Sequence, residues 1–339
     1  MSAGRWRGWL EQGSNRLLAL LAPGPAACLL CGRQAAAPGP QEAQQSHVRR
    51  QPLCRGCREA IPWIEAINCY CCGRTIRCPD CVRRGGAAFV WSRSAVRYDA
   101  SMRAWLAAYK YRGEERLEPL FAEMLEPVLQ RMTAELLRRL ETSPKRAAVV
   151  ADVAGRQLPA AAIAACWDGI AYVPVSTARL RERGFNQAQR MAALLGRRYG
   201  IPVLPLLVRT RHTLKQSGKS RWSRLRDMQA LFDAAPEAGE RLARLRQSRA
   251  KARQGPDSPR TAWRPGPDAP HAARRPGPDA SPAAWRPDAG EPSAKGQPLR
   301  LLLVDDIYTT GSTLDGCADA LRRISDLPIE IYGLTWARA

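Results

Sequence analysis

Residues 305 to 313 bring together the side-chain types that hold a phosphorylated sugar. Two adjacent carboxylates, Asp305 and Asp306, precede a run of hydroxyls and one glycine, Thr309, Thr310, Gly311, Ser312 and Thr313. The carboxylates can take a diol or a hydrated magnesium ion, a hard cation that prefers oxygen ligands. Hydroxyls and backbone N–H groups around a glycine at a helix start form a phosphate cradle. The apolar run Leu301–Val304 predicts a buried parallel strand just before the carboxylates, and Leu314, Cys317, Ala318 and Leu321 predict a helix just after the loop. Ligands collect at that edge of an α/β sheet. Acid pair and phosphate loop lie close enough to share one ligand, a ribose 5-phosphate. Asp305 and Asp306 are therefore the candidate catalytic residues, and Thr309 to Thr313 the candidate phosphate ligands. An ordinary strand-turn-helix with Thr and Asp as caps is the alternative.

A second chemistry sits near the start of the chain. Nine of the eleven cysteines fall between Cys28 and Cys81, and eight of these form four Cys-x-x-Cys pairs: Cys28 and Cys31, Cys54 and Cys57, Cys69 and Cys72, Cys78 and Cys81. Four such pairs make two tetrahedral four-thiolate zinc sites. Sequential pairing is the simplest scheme, with the first two pairs on one ion and the last two on the other. In Cys-Tyr-Cys-Cys-Gly, either Cys71 or Cys72 fits, and the spacing together with Gly73 favours Cys72. A disulfide framework is the alternative, and it belongs with a secretory signal. Closed zinc sites hold small folds together and do no chemistry, so both ions are assigned a structural role.

Two further segments carry anion-binding chemistry. A strand at Ile170–Val175 leads to Ser176, Thr177, Arg179, Arg181 and Arg183, followed by a helix start; the arginine fork suits phosphate oxygens, although a charge run is often only a solvated face. Lys215 to Arg221, including Lys219, is small, polar and basic, the composition of a loop that closes over a phosphate.

The elements that must position these groups are legible in outline. Phe89–Tyr98 predicts β-structure and Met102–Tyr111 a helix. Leu117 to Leu140 shows apolar residues at helical spacing, with Pro119 and Pro127 limiting or breaking the helix. Ala147–Ala154 and Ala230–Phe232 are further strand candidates, and Ile329–Trp336 supplies the last strand. From about Pro236 to Pro298 the chain is low-complexity, with Gly-Pro-Asp recurring at 255, 266 and 277 among Arg-Pro pairs and Trp263 and Trp285. Such a segment is expected to be a disordered insertion, because it has too few aliphatic residues to bury. Arg and Trp interleaving could stack on single-stranded bases; an expanded, tolerated linker is the plainer reading.

The run at 301–313 closely resembles the phosphoribosyl pyrophosphate (PRPP) signature of type I phosphoribosyltransferases. With the zinc knuckles, Lys110-Tyr-Arg-Gly, Arg179-Leu-Arg-Glu-Arg-Gly-Phe-Asn-Gln and Gln216-Ser-Gly-Lys-Ser-Arg in the same order, nearly the whole chain outside the insertion resembles the ComF family. Members are phosphoribosyltransferase-like proteins associated with bacterial competence for DNA uptake. The resemblance implies an α/β type I phosphoribosyltransferase-like parallel sheet with helices on both faces, preceded by a small double zinc ribbon. The implied division is a helical lead-in at 1–27, the ribbon at 28–88 and the α/β domain at 89–339, with the insertion at 236–298 inside it. It also implies that Asp305 and Asp306 contact ribose hydroxyls and magnesium, Thr309 to Thr313 the 5-phosphate, and the strand end from Val175 through Ser176, Thr177 and Arg179 the pyrophosphate. This chain departs from the family where members often carry Leu-His-Pro-Arg after the Pro-Val strand, since it has Ser176-Thr-Ala there.

The 339 residues suffice for a large core plus a small module, and the formal net charge of +22 favours polyanionic partners. No stretch in the chain reads as a membrane span or a cleavable leader, so a cytoplasmic protein is expected. Two function classes follow. The first is a competence factor that binds single-stranded DNA or DNA-processing proteins and senses PRPP or a related nucleotide. The second is a working phosphoribosyltransferase that passes ribose 5-phosphate from magnesium PRPP to a nucleobase or amine.

Overall fold

The structure, a computed structural model, describes residues 26–35, 46–76, 78–84, 86–140, 157–210, 231–254, 297–324 and 328–339. Its contacts divide the chain into two compact units, Met1–Ile61 and Pro62–Ala339. Among the described residues, no helix is long and apolar enough to cross a membrane. The expected lead-in through residue 25, the strand at Ala147–Ala154, the 215–221 loop and residues 255–296 of the insertion lie outside the described residues.

The first unit is organised around turns. An antiparallel bridge joins Ala27 to Gln34, and a short helix, α1 (Arg55–Glu59), starts straight after Cys54. Val48 and Leu53 are fully buried. The Arg58 guanidinium donates to the carbonyls of Val48 at 2.9 Å and Leu53 at 3.0 Å, so a side chain satisfies backbone groups that no sheet pairs.

The second unit runs α2 (Pro79–Arg84), β1 (Trp91–Arg97), α3 (Ala100–Tyr111), a 3-10 turn (Glu115–Leu117), α4 (Glu118–Leu140), α5 (Ala160–Cys166), β2 (Gly169–Tyr172), α6 (Thr177–Arg183), α7 (Gln187–Tyr199), β3 (Leu207–Arg209), β4 (Phe232–Ala234), α8 (Ala238–Gln254), β5 (Leu299–Tyr308), α9 (Ser312–Ile324) and β6 (Ile329–Arg338). Four strands form a parallel sheet in the order β1-β6-β5-β2. A single parallel bridge from Ile170 to Val203 extends its β2 edge. Strands β3 and β4 form a separate antiparallel pair.

The central strand reads as a continuous apolar run because both its faces are covered. Leu299, Leu301 and Leu303 join Leu314, Cys317, Ala318 and Leu321 of α9 in one buried cluster, to which Ala238 and Leu242 of α8 also belong. Alternation sends Leu302 and Val304 to the other face. That face carries the aromatic stack of Phe121 on Trp336, with centroids 4.3 Å apart, and Trp167 against Tyr332 at 5.0 Å.

Two expectations about elements need correction. The pattern at 117–140 is not broken at its prolines, for α4 is one helix of 23 residues. Pro119 lies in its first turn, where no N–H is needed. Pro127 costs roughly 3 kcal/mol in a helix interior. Met124, Leu125, Val128 and Leu129 around it are fully buried, and such burial contributes about 1.5–3 kcal/mol each, which outweighs that cost. The start of the expected insertion is likewise ordered, because α8 occupies 238–254. Few aliphatic residues are needed there: Leu242 is buried, while Arg249 pairs with Asp168 at 2.7 Å and donates to the Pro298 carbonyl at 2.7 Å.

Candidate functional site

The strand carrying the acid pair does not end at Val304. β5 continues to Tyr308 by pairing with β6, Asp305 opposite Thr335 and Tyr308 opposite Arg338, while β2 stops opposite Val304. Beyond that point one neighbour of β5 diverges, and a cavity of about 300 Å³ opens at the carboxyl end of the sheet. Its walls come from six places: Lys110; Val173–Val175; Arg179 and Arg183; Asn186–Ala188; Arg209 and Phe232; and Asp305–Ile307 with Thr309 and Thr313.

Asp305 is the buried member of the pair. Its Oδ1 accepts the Asp306 N–H at 2.8 Å. Burial, and then the charge of Asp306, push its carboxyl up to about 8, against the pull of Lys110 and Arg209. Asp306 is ion-paired with the Lys110 ammonium from the last turn of α3. Thus the two carboxylates differ in role, one tending to hold a proton and the other neutralised by a cation.

The loop behind them is compact. Gly311 has φ +84, a left-handed turn that a side chain would strain. The Thr310 and Ser312 hydroxyls meet at 2.6 Å, and the Gly311 carbonyl accepts the Asp315 N–H at 2.9 Å. Thr309 and Thr313 face the cavity.

Arginines line the same cavity. Ser176 caps α6, its hydroxyl accepting the Arg179 N–H at 3.3 Å, and Thr177 begins that helix. Arg179 and Arg183, one turn apart, both donate to the Tyr111 hydroxyl, at 3.3 and 2.6 Å, and the Arg183 guanidinium stacks 4.6 Å from the Tyr111 ring centre. Arg209 stands 5.7 Å from the Phe232 ring; burial, followed by the neighbouring charge of Arg179, lowers its pKa. Gln187 is buried, and its Nε2 and the Arg183 Nε have no hydrogen-bond partner among the described residues. Both are donors closed off from solvent, unsatisfied polar groups behind the cavity wall. Asn186 instead serves the fold, accepting the N–H groups of Ala188 and Gln189 and donating to Val173.

The cavity therefore brings together Asp305, Asp306, Thr309, Thr313 and Arg179 from the sequence-predicted set. Lys219 lies outside the described residues, but the strand residues flanking its segment, Arg209 and Phe232, both line the cavity. Arg183 also lines it, as the arginine run at 179–183 suggested, whereas Lys110 and Gln187 belonged to recognisable motifs without an assigned role. Arg209 carried no signal at all, being one more arginine at a strand end.

Two groups of four cysteines have sulfur atoms lying within 4.8 Å of one another, Cys28, Cys31, Cys54 and Cys57 in the first unit, and Cys69, Cys72, Cys78 and Cys81 in the second. Tetrahedral zinc with Zn–S of about 2.3 Å implies sulfurs about 3.8 Å apart, and Cys31 and Cys54 are separated by 3.6 Å. Burial opposes ionisation of Cys28, yet the backbone N–H groups of Cys54, Cys31 and Leu30 lower its thiol to about 6. Side-chain hydrogen bonds from Cys72 and Cys81 likewise hold Cys69 well below the ordinary thiol value. Each group can hold a zinc ion.

Cys71 stays out of the second group and is buried; its carbonyl accepts the Ser92 N–H at 2.7 Å. Gly73 follows with φ +67, and a Cβ there would stand 2.9 Å from the Ser92 carbonyl oxygen. Ser92 lies in β1, so this knuckle is seated directly on the edge of the sheet.

No family model matches the chain, and no curated protein matches it.

Proposed function

We propose that the cavity binds PRPP or a related ribose 5-phosphate nucleotide on a type I phosphoribosyltransferase-like sheet, and that the chain is a ComF-like protein acting in DNA uptake. One observation carries the reading: a carboxylate pair, a hydroxyl-rich loop at a helix start and a wall of Lys110, Arg179, Arg183 and Arg209 face a single cavity. A ligand with hydroxyls in the middle and anions at both ends matches that order of groups. In this reading Asp306 and Asp305 take the ribose hydroxyls, and Thr309 to Thr313 take the 5-phosphate. Arg179 and Arg183, held by Tyr111, take the pyrophosphate, with Ser176 and Thr177 fixing their helix start. Arg183 and Arg209 supply cations on the side where Ser176-Thr-Ala departs from the family pattern.

Magnesium fits the hard oxygen donors of Asp305 and Asp306. Lys110 already balances one of those charges, so the ion would be held jointly by carboxylate and ligand. When bound, it would supply charge stabilisation to the pyrophosphate oxygens. The two zinc ions would be structural. The excess of basic residues would hold single-stranded DNA or DNA-processing partners, by an attraction that salt weakens.

The enzyme reading has a specific observation in its favour. Arg179, Arg183 and Arg209 line the same cavity as the carboxylates and would give a departing pyrophosphate preorganised donors. The deciding experiment is calorimetric titration of the zinc-loaded protein with PRPP and magnesium, repeated after Asp305→Asn with Asp306→Asn. Saturable binding lost in the double variant is the expected result, and unchanged affinity would refute the pocket assignment. Pyrophosphate release on adding a nucleobase would establish the enzyme class.

A further inference from the structure

The second cysteine group reaches the phosphate loop by two independent routes. The Cys72 carbonyl accepts a hydrogen bond from Arg338 Nη1 at 3.2 Å. Arg338, buried at the end of β6, lays its guanidinium 4.3 Å from the centre of the Tyr308 ring. Tyr308 is its register partner on β5 and the residue immediately before Thr309. The other route leaves the knuckle in the chain direction. Phe89 packs edge-on against the same Tyr308 ring with centroids 6.4 Å apart, and the Ala88 N–H donates to Asp315 Oδ1 at 3.0 Å in the first turn of α9. Cys71, Cys72 and Cys78 belong to one buried cluster with Phe89, Tyr308, Leu314 and Cys317. Tyr308 and Asp315 therefore bracket residues 309–313 and are each held by the segment that the four sulfurs organise.

We infer that the second cysteine group is a support of the phosphate loop, with Arg338 as the positioning residue between them, so that metal occupancy there controls the rigidity of residues 309–313 and their grip on a phosphorylated ligand. A structural zinc ion fixes the knuckle outright. Remove it, and the Cys72 carbonyl and the 86–89 segment lose their fixed positions; the Tyr308 ring and the Asp315 carboxylate then lose one partner each. The pocket is thereby made sensitive to metal supply. The clause about ligand grip rests on the phosphate-binding reading of the loop, whereas the clause about rigidity does not.

Amide hydrogen exchange on the full-length, zinc-loaded protein tests the rigidity clause, with residues 301–304 of β5 as the internal reference. Arg338→Met leaves all eight cysteine ligands in place, and its zinc content is measured in parallel. The expected outcome is an unchanged zinc content with exchange at 309–315 about tenfold faster and no change at 301–304. Cys78→Ser is expected to accelerate the same amides and to lower bound zinc. Unchanged exchange at 309–315 in Arg338→Met, or acceleration equal to that at 301–304, overturns the inference. Titration with ribose 5-phosphate and with inorganic pyrophosphate is run alongside. Arg338→Met should weaken ribose 5-phosphate about tenfold while leaving pyrophosphate, held by the arginine wall, unaffected; equal weakening of both overturns the positioning role. If the wild-type protein binds neither compound, the proposed function fails and the exchange result alone decides the inference.

Discussion

Burial governs the protonation of Asp305. Its folded value of about 8 stands above the ordinary 3.8 because of burial and the adjacent Asp306. The unfolded chain thus gives up this proton first, so the stability associated with protonated Asp305 is fully present below about pH 4 and is lost as pH rises through about 8. Thermal melts should show Asp305→Asn gaining on the wild type between about pH 4 and pH 8, with little difference at the acid end. A cation or diol that needs the carboxylate competes with the same proton, so magnesium-dependent ligand affinity should climb toward about pH 8 and flatten above it, and the Asn variant should lose that slope. Lys110 is the other decisive residue. Removing it as Lys110→Met strands the Asp306 carboxylate, whose side chain is only 18% exposed. Denaturant melts should then show a loss of about 1–3 kcal/mol, the cost of leaving a half-buried charged group without its partner.

At the level of elements, the acid pair and the phosphate loop were legible because they are contiguous: strand, turn and helix follow one another within 301–324, and local spacing carries the information. Lys110 and Arg209 were not, since they reach the cavity through α3 and the β3–β4 pair, and only long-range packing brings them there. Periodicity located α4, yet proline rules alone divide it, because the four fully buried neighbours of Pro127 outweigh its lost hydrogen bond. Composition concealed α8, where Ala238, Leu242 and Leu245 recur at helical spacing within an arginine-rich sequence. The seat of the second knuckle on β1 yields a test of its own. Gly73→Ala combines a left-handed φ with a methyl 2.9 Å from the Ser92 carbonyl, and should cost at least about 1–2 kcal/mol from the backbone conformation alone. Zinc release from the variant under chelator should accelerate along with unfolding; an unchanged release rate would contradict the tight seating.

Across the whole molecule, the two four-cysteine groups belong to different compact units. Cys69→Ser should therefore reduce bound zinc without emptying the Cys28, Cys31, Cys54 and Cys57 group, and two full equivalents in that variant would refute the ligand scheme. The net charge of +22 makes the DNA reading equally open to measurement. Affinity for a single-stranded oligonucleotide should fall at least about tenfold between roughly 50 and 200 mM salt, a slope set by released counterions. Binding that ignores salt would point away from phosphate contacts.

The clasp in which Arg249 holds both Asp168 and the Pro298 carbonyl makes residues 255–296 a natural port for genetic cargo. Both ends of that segment are anchored by contacts made outside it, and loop closure itself costs only about 0.6 kcal/mol per doubling of length. A fluorescent domain spliced in at this point, or a version trimmed to a few residues, should leave the pocket's ligand affinity intact.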